Sequence, residues 1–252
     1  MANLQLSYSE IYNKVSEFVG WGSSPSDANV VKAKAIVCRA YRQFLYPINR
    51  KTGRPHTWSF LHKHGTFLTE SDKWIYQLPV DFANQMFWFE HDESTSYPPI
   101  TFEAYRKLLR MRALSSGSSY PTRFAIRTAN YDQLIGQQYE VCFYETPNGV
   151  YVLPFCYVFT PLKLSASTDI PIGGILACEA LLETALAVAE TQEEEKIGIH
   201  TQLSMQLVQD LINNDMALTP DTMGYNLDTH VSRYGWERFL PTTETENIYY
   251  GD

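Results

Sequence analysis

The stretch Thr57–Phe82, TWSFLHKHGTFLTESDKWIYQLPVDF, decides how the rest of the chain is read. Its apolar residues do not recur at helical spacing. Thr66–Thr69 and Trp74–Leu78 are short runs rich in Thr and aromatic residues, with an apolar period near two, the pattern of strands with one covered face. Pro79 ends pairing because it has no N–H for a ladder. Asp81 is then placed to accept backbone hydrogen bonds in the turn that follows. Trp58, Phe60, Trp74 and Phe82, with Leu61 and Leu78, are the residues expected to fill the core of this β region.

Downstream, Asn84–Phe89, Arg123–Arg127, Tyr139–Tyr144 and Val150–Phe159 read as further strands. Thr146-Pro147-Asn148-Gly149 predicts a hairpin turn, with Asn-Gly supplying positive φ. Phe102–Leu114 has helical spacing, and Ser115–Ser119 reads as a flexible loop.

Both flanks of the β region are helical in pattern. Leu6–Phe18 repeats apolar residues near every fourth position, and Ser7 with Glu10 forms a capping-box signature. Gly20-Trp21-Gly22 ends that helix. Asp27 is the expected cap of a second helix, Ala28–Tyr46, stopped by Pro47. Beyond Pro171, Gly174–Glu190 is apolar on most of its circumference, so it is expected to be buried on most sides. Glu179, Glu183 and Glu190 share one face, which reads as solvated or as facing a subunit. Glu193-Glu194-Glu195 reads as a solvated corner. Ile199–Met216 is the last helix, with Asn213-Asn214-Asp215 as its stop. Residues 217–252 lack periodicity yet keep Tyr225, Trp236, Phe239, Leu240, Ile248, Tyr249 and Tyr250, which predicts an extended arm that docks on a surface.

The expected fold is therefore α+β. The helices of 1–47 and 172–216 form a bundle, residues 48–171 form a β-rich, sandwich- or barrel-like insertion, and 217–252 is the arm. In a chain of 252 residues, 44% hydrophobic content and 19% charged residues fit a packed body.

The net charge of −8 argues against broad binding of duplex DNA. Its distribution is uneven. Ala28–Thr69 and Ala104–Tyr131 contain no acidic residue, and they supply the basic candidates for partner contact: Arg50, Lys51, Arg54, Arg106, Lys107, Arg110 and Arg112. From Leu164 to Asp252, fifteen acidic residues face Lys196, Arg233 and Arg238. Such segregation holds two halves of one molecule together, or steers copies of the chain into assembly. Glu179, Glu183, Glu193, Glu194 and Glu195 are the acidic candidates for a channel or subunit face.

Cys38, Cys142, Cys156 and Cys178 lie among apolar neighbours without metal-ligand spacing and read as core thiols in a reducing compartment. Met1-Ala2-Asn3-Leu4 lacks the charged start and apolar run of a signal peptide, so synthesis in the cytoplasm is expected. Val150–Leu162, the longest uncharged apolar stretch, is too short to span a membrane. No P-loop, GxSxG, GxGxxG or HExxH pattern occurs. His62 and His64 alternate on one strand face near Glu70 and Asp72, but a catalytic zinc needs a third ligand and a water. Glu179 and Glu183, one turn apart, read as a surface stripe in preference to an acid–base pair. No cofactor is expected.

The succession Trp58-Ser59-Phe60-Leu61, Thr66-Phe67-Leu68-Thr69 and Trp74-Ile75-Tyr76-Gln77-Leu78-Pro79-Val80-Asp81-Phe82 resembles the tubular or gatekeeper-type head-to-tail adaptors of short-tailed phages. The likeness in motif covers Thr57–Phe82. The order of elements extends it loosely over most of the chain, although the long β region and the Phe102–Leu114 helix depart from the pattern. The resemblance implies a non-catalytic virion protein made in the host cytoplasm. In it a helical bundle carries a β-structured insertion, and typically twelve copies form a ring beneath the portal protein. Such a ring extends the DNA channel, passes genomic DNA without specific binding, and offers a platform for tail or nozzle proteins. Glu193–Glu195 would face the channel and the arm would grip the portal or a neighbouring copy. Two other readings remain: a tail or baseplate module with a sandwich core, and a nucleic-acid-binding protein or enzyme, with Arg50, Lys51 and Arg54 as the nucleic-acid contacts.

Overall fold

The computed structural model describes residues 4–89, 97–115, 117–193 and 198–218. All lie in the first of two units, Met1–Leu218 and Thr219–Asp252, into which the chain divides. The N-terminal helices begin where their caps dictate. In α1 (Tyr8–Phe18) the Ser7 hydroxyl accepts the Glu10 N–H, and the Glu10 carboxylate accepts the Ser7 N–H at 2.7 Å. That is the reciprocal capping box. α2 (Asp27–Leu45) is capped by Ser26, not Asp27: the Ser26 hydroxyl accepts the Asn29 N–H. Asp27 instead occupies the first turn, where its charge favours the helix dipole.

Next come β1 (Ile48–Asn49) and β2 (Arg54–Pro55), a small hairpin, then a 3₁₀ turn at Ser59–Leu61. The remaining elements are β3 (His62–Leu68), β4 (Ile75–Gln77), β5 (Phe82–Phe89), β6 (Thr101–Phe102), α3 (Tyr105–Leu114), β7 (Arg123–Asp132), β8 (Gly136–Phe143), β9 (Val152–Phe159), α4 (Gly174–Glu193) and α5 (Ile199–Leu218). The fold is α+β.

α4 packs against α1, α2 and α5 at once. This explains a helix with apolar residues on nearly all sides: each side meets a neighbour. Its left-handed start, Gly173 (φ 109°) and Gly174 (φ 82°), has a further cause. A Cβ at Gly173 would sit 2.6 Å from the Ala177 Cβ and 3.1 Å from the Phe60 ring, so the backbone needs glycine there. The N-terminus is fastened beside it, because Tyr8 N–H donates to Asp169 O at 2.7 Å.

Between α2 and α4 lie two sheets. One has the order β3-β9-β5 and the other β4-β8-β7-β6, with β6 parallel to β7. They face each other across one apolar cluster: Phe82, Phe89, Leu153, Phe155 and Tyr157 from the first, Tyr76, Phe124, Val141 and Phe143 from the second. The arrangement is a sandwich whose filling is aromatic.

Four expectations are corrected. Thr146–Gly149 does not close a hairpin: β8 and β9 belong to different sheets, and Gly149 has no positive φ. The tight hairpin is β7–β8, where Asp132 pairs with Gly136 (φ 97°) and the Asp132 Oδ1 accepts the Leu134 N–H at 2.7 Å. Trp58, Phe60 and Leu61 do not fill the sandwich; they pack with Phe44, Leu164 and Leu181 in the bundle core, while Trp74 joins Leu108 in a third, smaller cluster. Asn213-Asn214-Asp215 does not end the last helix, which continues to Leu218. Residues 217 and 218, assigned to the arm, are helical for the same reason.

Candidate interaction surfaces

The basic hairpin is held from below. Gly53 (φ 66°) makes the turn, Lys51 N–H donates to Asn49 Oδ1, and Arg50 N–H donates to Gln209 Oε1 of α5 at 3.0 Å. Lys51 Nζ reaches Asn213 Oδ1 at 3.1 Å. Arg50 and Arg54 are exposed, so the loop is a basic corner fastened to the last helix.

Beside it lies a polar seam that the sequence did not reveal. The Asp215 carboxylate accepts the Ser59 N–H at 3.1 Å and the Ser59 hydroxyl, and it contacts His56 Nε2 at 2.9 Å. Both partners of the His56–Asp215 pair are nearly covered, at 12% and 11% exposure. Ser, His and Asp together invite comparison with a catalytic triad, but the order is wrong. A nucleophilic hydroxyl must hand its proton to imidazole, with the carboxylate behind it. Here the carboxylate stands in the middle and takes the hydroxyl proton's hydrogen bond itself. The seam ties the C-terminal helix to the chain just after β2, and its chemistry is that of a clamp.

The second basic cluster separates into two kinds. Arg106, Lys107 and Arg110 are exposed on α3, with Lys107 paired to Glu103 at 2.8 Å. Arg112 is engaged within the fold. Its guanidinium lies 4.0 Å over the Trp74 ring and donates to Phe143 O at 3.1 Å, to Tyr144 O and to Thr146 Oγ1. Burial lowers its pKa from the usual arginine value. The planar, five-donor head suits this use as a strut between helix and sheet.

Asp81 differs from the expected turn acceptor. Its carboxylate accepts Lys63 Nζ at 2.8 Å and the Tyr157 hydroxyl at 3.0 Å, while its backbone carbonyl takes the Thr160 N–H. The hydrogen bond to Asp81 raises the Lys63 pKa, and burial is the first cause raising that of Tyr157. Leu78 and Phe82 are buried in the sandwich, and the turn at Pro79 is closed by Phe82 N–H donating to Pro79 O.

The acidic stripe of α4 is also corrected. Glu179 is exposed, but Glu183 pairs with His200 at 2.8 Å, and Glu190 is buried, accepting the Thr201 N–H and hydroxyl. These two carboxylates join α4 to α5 within one copy. Glu193 is exposed at the end of α4; Glu194 and Glu195 lie outside the described residues. So do the arm residues Tyr225, Trp236, Phe239, Ile248, Tyr249 and Tyr250.

His62 and His64 do share a face of β3, yet among the described residues no three His, Cys, Asp or Glu side chains gather as a metal site. The four cysteines are free thiols, three of them buried, and burial pushes the Cys142 pKa up to about 11. Among the described residues no helix is long and apolar enough to cross a membrane.

No protein-family model matches the sequence, and comparison with curated proteins finds no match.

Proposed function

We propose that this chain is a ring-forming structural protein of a tailed phage: a head-to-tail adaptor, set between portal and tail, that extends the DNA channel. The observation that carries the reading is the splice. One helical bundle takes its helices from both sides of an intervening β-sandwich. The resemblance carried by Thr57–Phe82 implies that architecture, and Trp58 and Leu61 from the motif's first segment are buried in the bundle core. The reading makes the protein non-catalytic. The Ser59–Asp215–His56 grouping lacks the geometry of a nucleophile and its base. Partners would be further copies, probed first, then portal and tail or nozzle proteins, with DNA passing without specific contacts.

The test is native mass measurement of the purified chain, alone and with portal protein. A discrete closed assembly, twelve copies by the resemblance, that joins portal is the expected result. A monomer at every concentration that ignores portal overturns the proposal.

A further inference from the structure

Between Thr128 and Gln137, the β7–β8 hairpin runs past its sheet. β4 pairs with β8 at Glu140–Cys142, and β6 pairs with β7 at Arg123 and Phe124. The outer part is therefore a two-stranded ribbon. A ribbon of this kind has no second layer to bury apolar side chains. Its tip nevertheless carries Tyr131, Leu134 and Ile135, exposed at 71%, 96% and 50%. The turn that presents them is built: Asp132 Oδ1 accepts the N–H groups of both Leu134 and Ile135, and Gly136 adopts the left-handed conformation. The turn thus holds these aliphatic side chains together in water, where a contact with another molecule would cover them.

The same chain has a groove with both apolar and basic lining. α2, α4, α5 and the β1–β2 hairpin enclose a groove of about 320 Å³, with Phe44, Val188, Val208 and Ile212 in its lining and Arg39 and Arg50 also on it. The hydroxyls of Thr184, Thr191 and Ser204 in that lining donate to carbonyls of their own helices, at Ala180, Ala187 and Thr201. Those three hydroxyls are thus already paired, while Gln43, Thr201 and Gln209 add further polar groups to the lining. The space is twice the ~150 Å³ that holds a benzene ring in an apolar protein cavity, which suits two aliphatic side chains. Charge favours this groove over a second one among the described residues. That one, of about 380 Å³ beside Trp58 and Leu211, has Asp215 in its lining and no cation, so it would oppose Asp132 of the tip.

We infer that the β7–β8 tip of one copy seats Leu134 and Ile135 in the α2–α4–α5 groove of the next, with Asp132 facing Arg39 and Arg50. Tip and groove are different surfaces. Each contact therefore leaves a tip on one side and a groove on the other, and repetition gives a closed ring or an open filament. The inference rests on the ring reading and names the seam that makes it.

Two experiments test it on the full chain. Gln133→Cys and Gln43→Cys, made as single variants and mixed under mild oxidation, should yield a covalent dimer, and the double variant a ladder. Leu134→Asp with Ile135→Asp should lose assembly by at least ~10-fold in concentration while far-UV circular dichroism is unchanged, since the tip is solvent-exposed. Rings that persist in the Asp variants, with no cross-link, overturn the seam and leave the adaptor reading standing. Normal rings that lose only attachment to another protein or to a membrane also overturn it. A wild-type chain that never assembles overturns both.

Discussion

In the bundle the buried positions are largely small or aliphatic: Ala33, Val37, Ala40, Ala180, Leu181 and Ala185 are fully covered. In the sandwich the buried volume is aromatic. Phe67 meets Tyr76 edge-on at 5.0 Å, Phe89 meets Phe124 at 5.0 Å, and Phe143 lies within 6.0 Å of both Phe67 and Phe89. Small residues let helices approach, so α4 can sit against three partners. Large rings bridge the wider gap between two facing sheets, about 10 Å. The two parts should therefore fail in opposite ways, the sandwich when a ring is removed and the bundle when an atom is added. They are not independent, because β9 serves both. Leu153, Phe155 and Tyr157 fill the sandwich, while Val158 belongs to the bundle core.

Phe143→Ala tests the aromatic half and should have the largest effect. Phe143 is fully buried, and its loss should cost about 3–5 kcal/mol in urea unfolding. Because β9 joins the cores, far-UV circular dichroism and Tyr/Trp fluorescence should report one coincident transition. A helical signal that outlasts the sandwich signal would show that the parts unfold separately. Ala180→Leu is the converse change. Overpacking α4 should cost about 1–3 kcal/mol, and a neutral result would mean that the helices have room the fully covered Ala180 does not suggest.

Asp215→Asn probes the clamp between the parts of the chain that meet in the bundle. It removes the charge that receives Ser59 and His56, and leaving such groups poorly paired should cost about 1–3 kcal/mol. Hydrogen exchange should rise in α5 and stay unchanged in β7 and β8. Equal acceleration in both regions would mean that the clamp governs the whole body and not its last helix.

How much of this could be read in advance follows the same division. Long helices announce themselves because nineteen residues of α2 give many repeats of one period, and the capping box at Ser7 and Glu10 is local chemistry. The β-runs were legible as strands, but period two shows which residues share a face and not which strand lies alongside. That is why Asn148-Gly149 suggested a hairpin where the chain instead crosses between sheets. The same limit misplaced Trp58 and Phe60: a large apolar residue after β2 can serve either neighbour, and the choice is made by α2 and α4. The Asp215 seam joins residues 156 positions apart, so no spacing rule reaches it. Arg112 looked like surface charge because a sequence does not show the Trp74 ring beneath it.

The cap of α1 is the smallest of these terms and the most local. Ser7→Ala should cost about 1 kcal/mol. Glu10 adds a charge dependence that Ser7 cannot. Its carboxyl accepts the Ser7 N–H and the Ser7 hydroxyl, and the backbone bond is the first cause holding its pKa below the ordinary glutamate value. A lowered folded pKa means that the contribution is complete above about pH 4.3, the unfolded value, and disappears as pH falls through the folded one. Glu10→Gln keeps a side chain able to accept the Ser7 N–H but removes the charge. Wild type should thus be the more stable at pH 7, and the two chains should converge in acid. A gap that stays constant from neutral to strongly acid pH would place the effect in side-chain shape, and the bundle's first turn would then owe nothing to the ionised carboxylate.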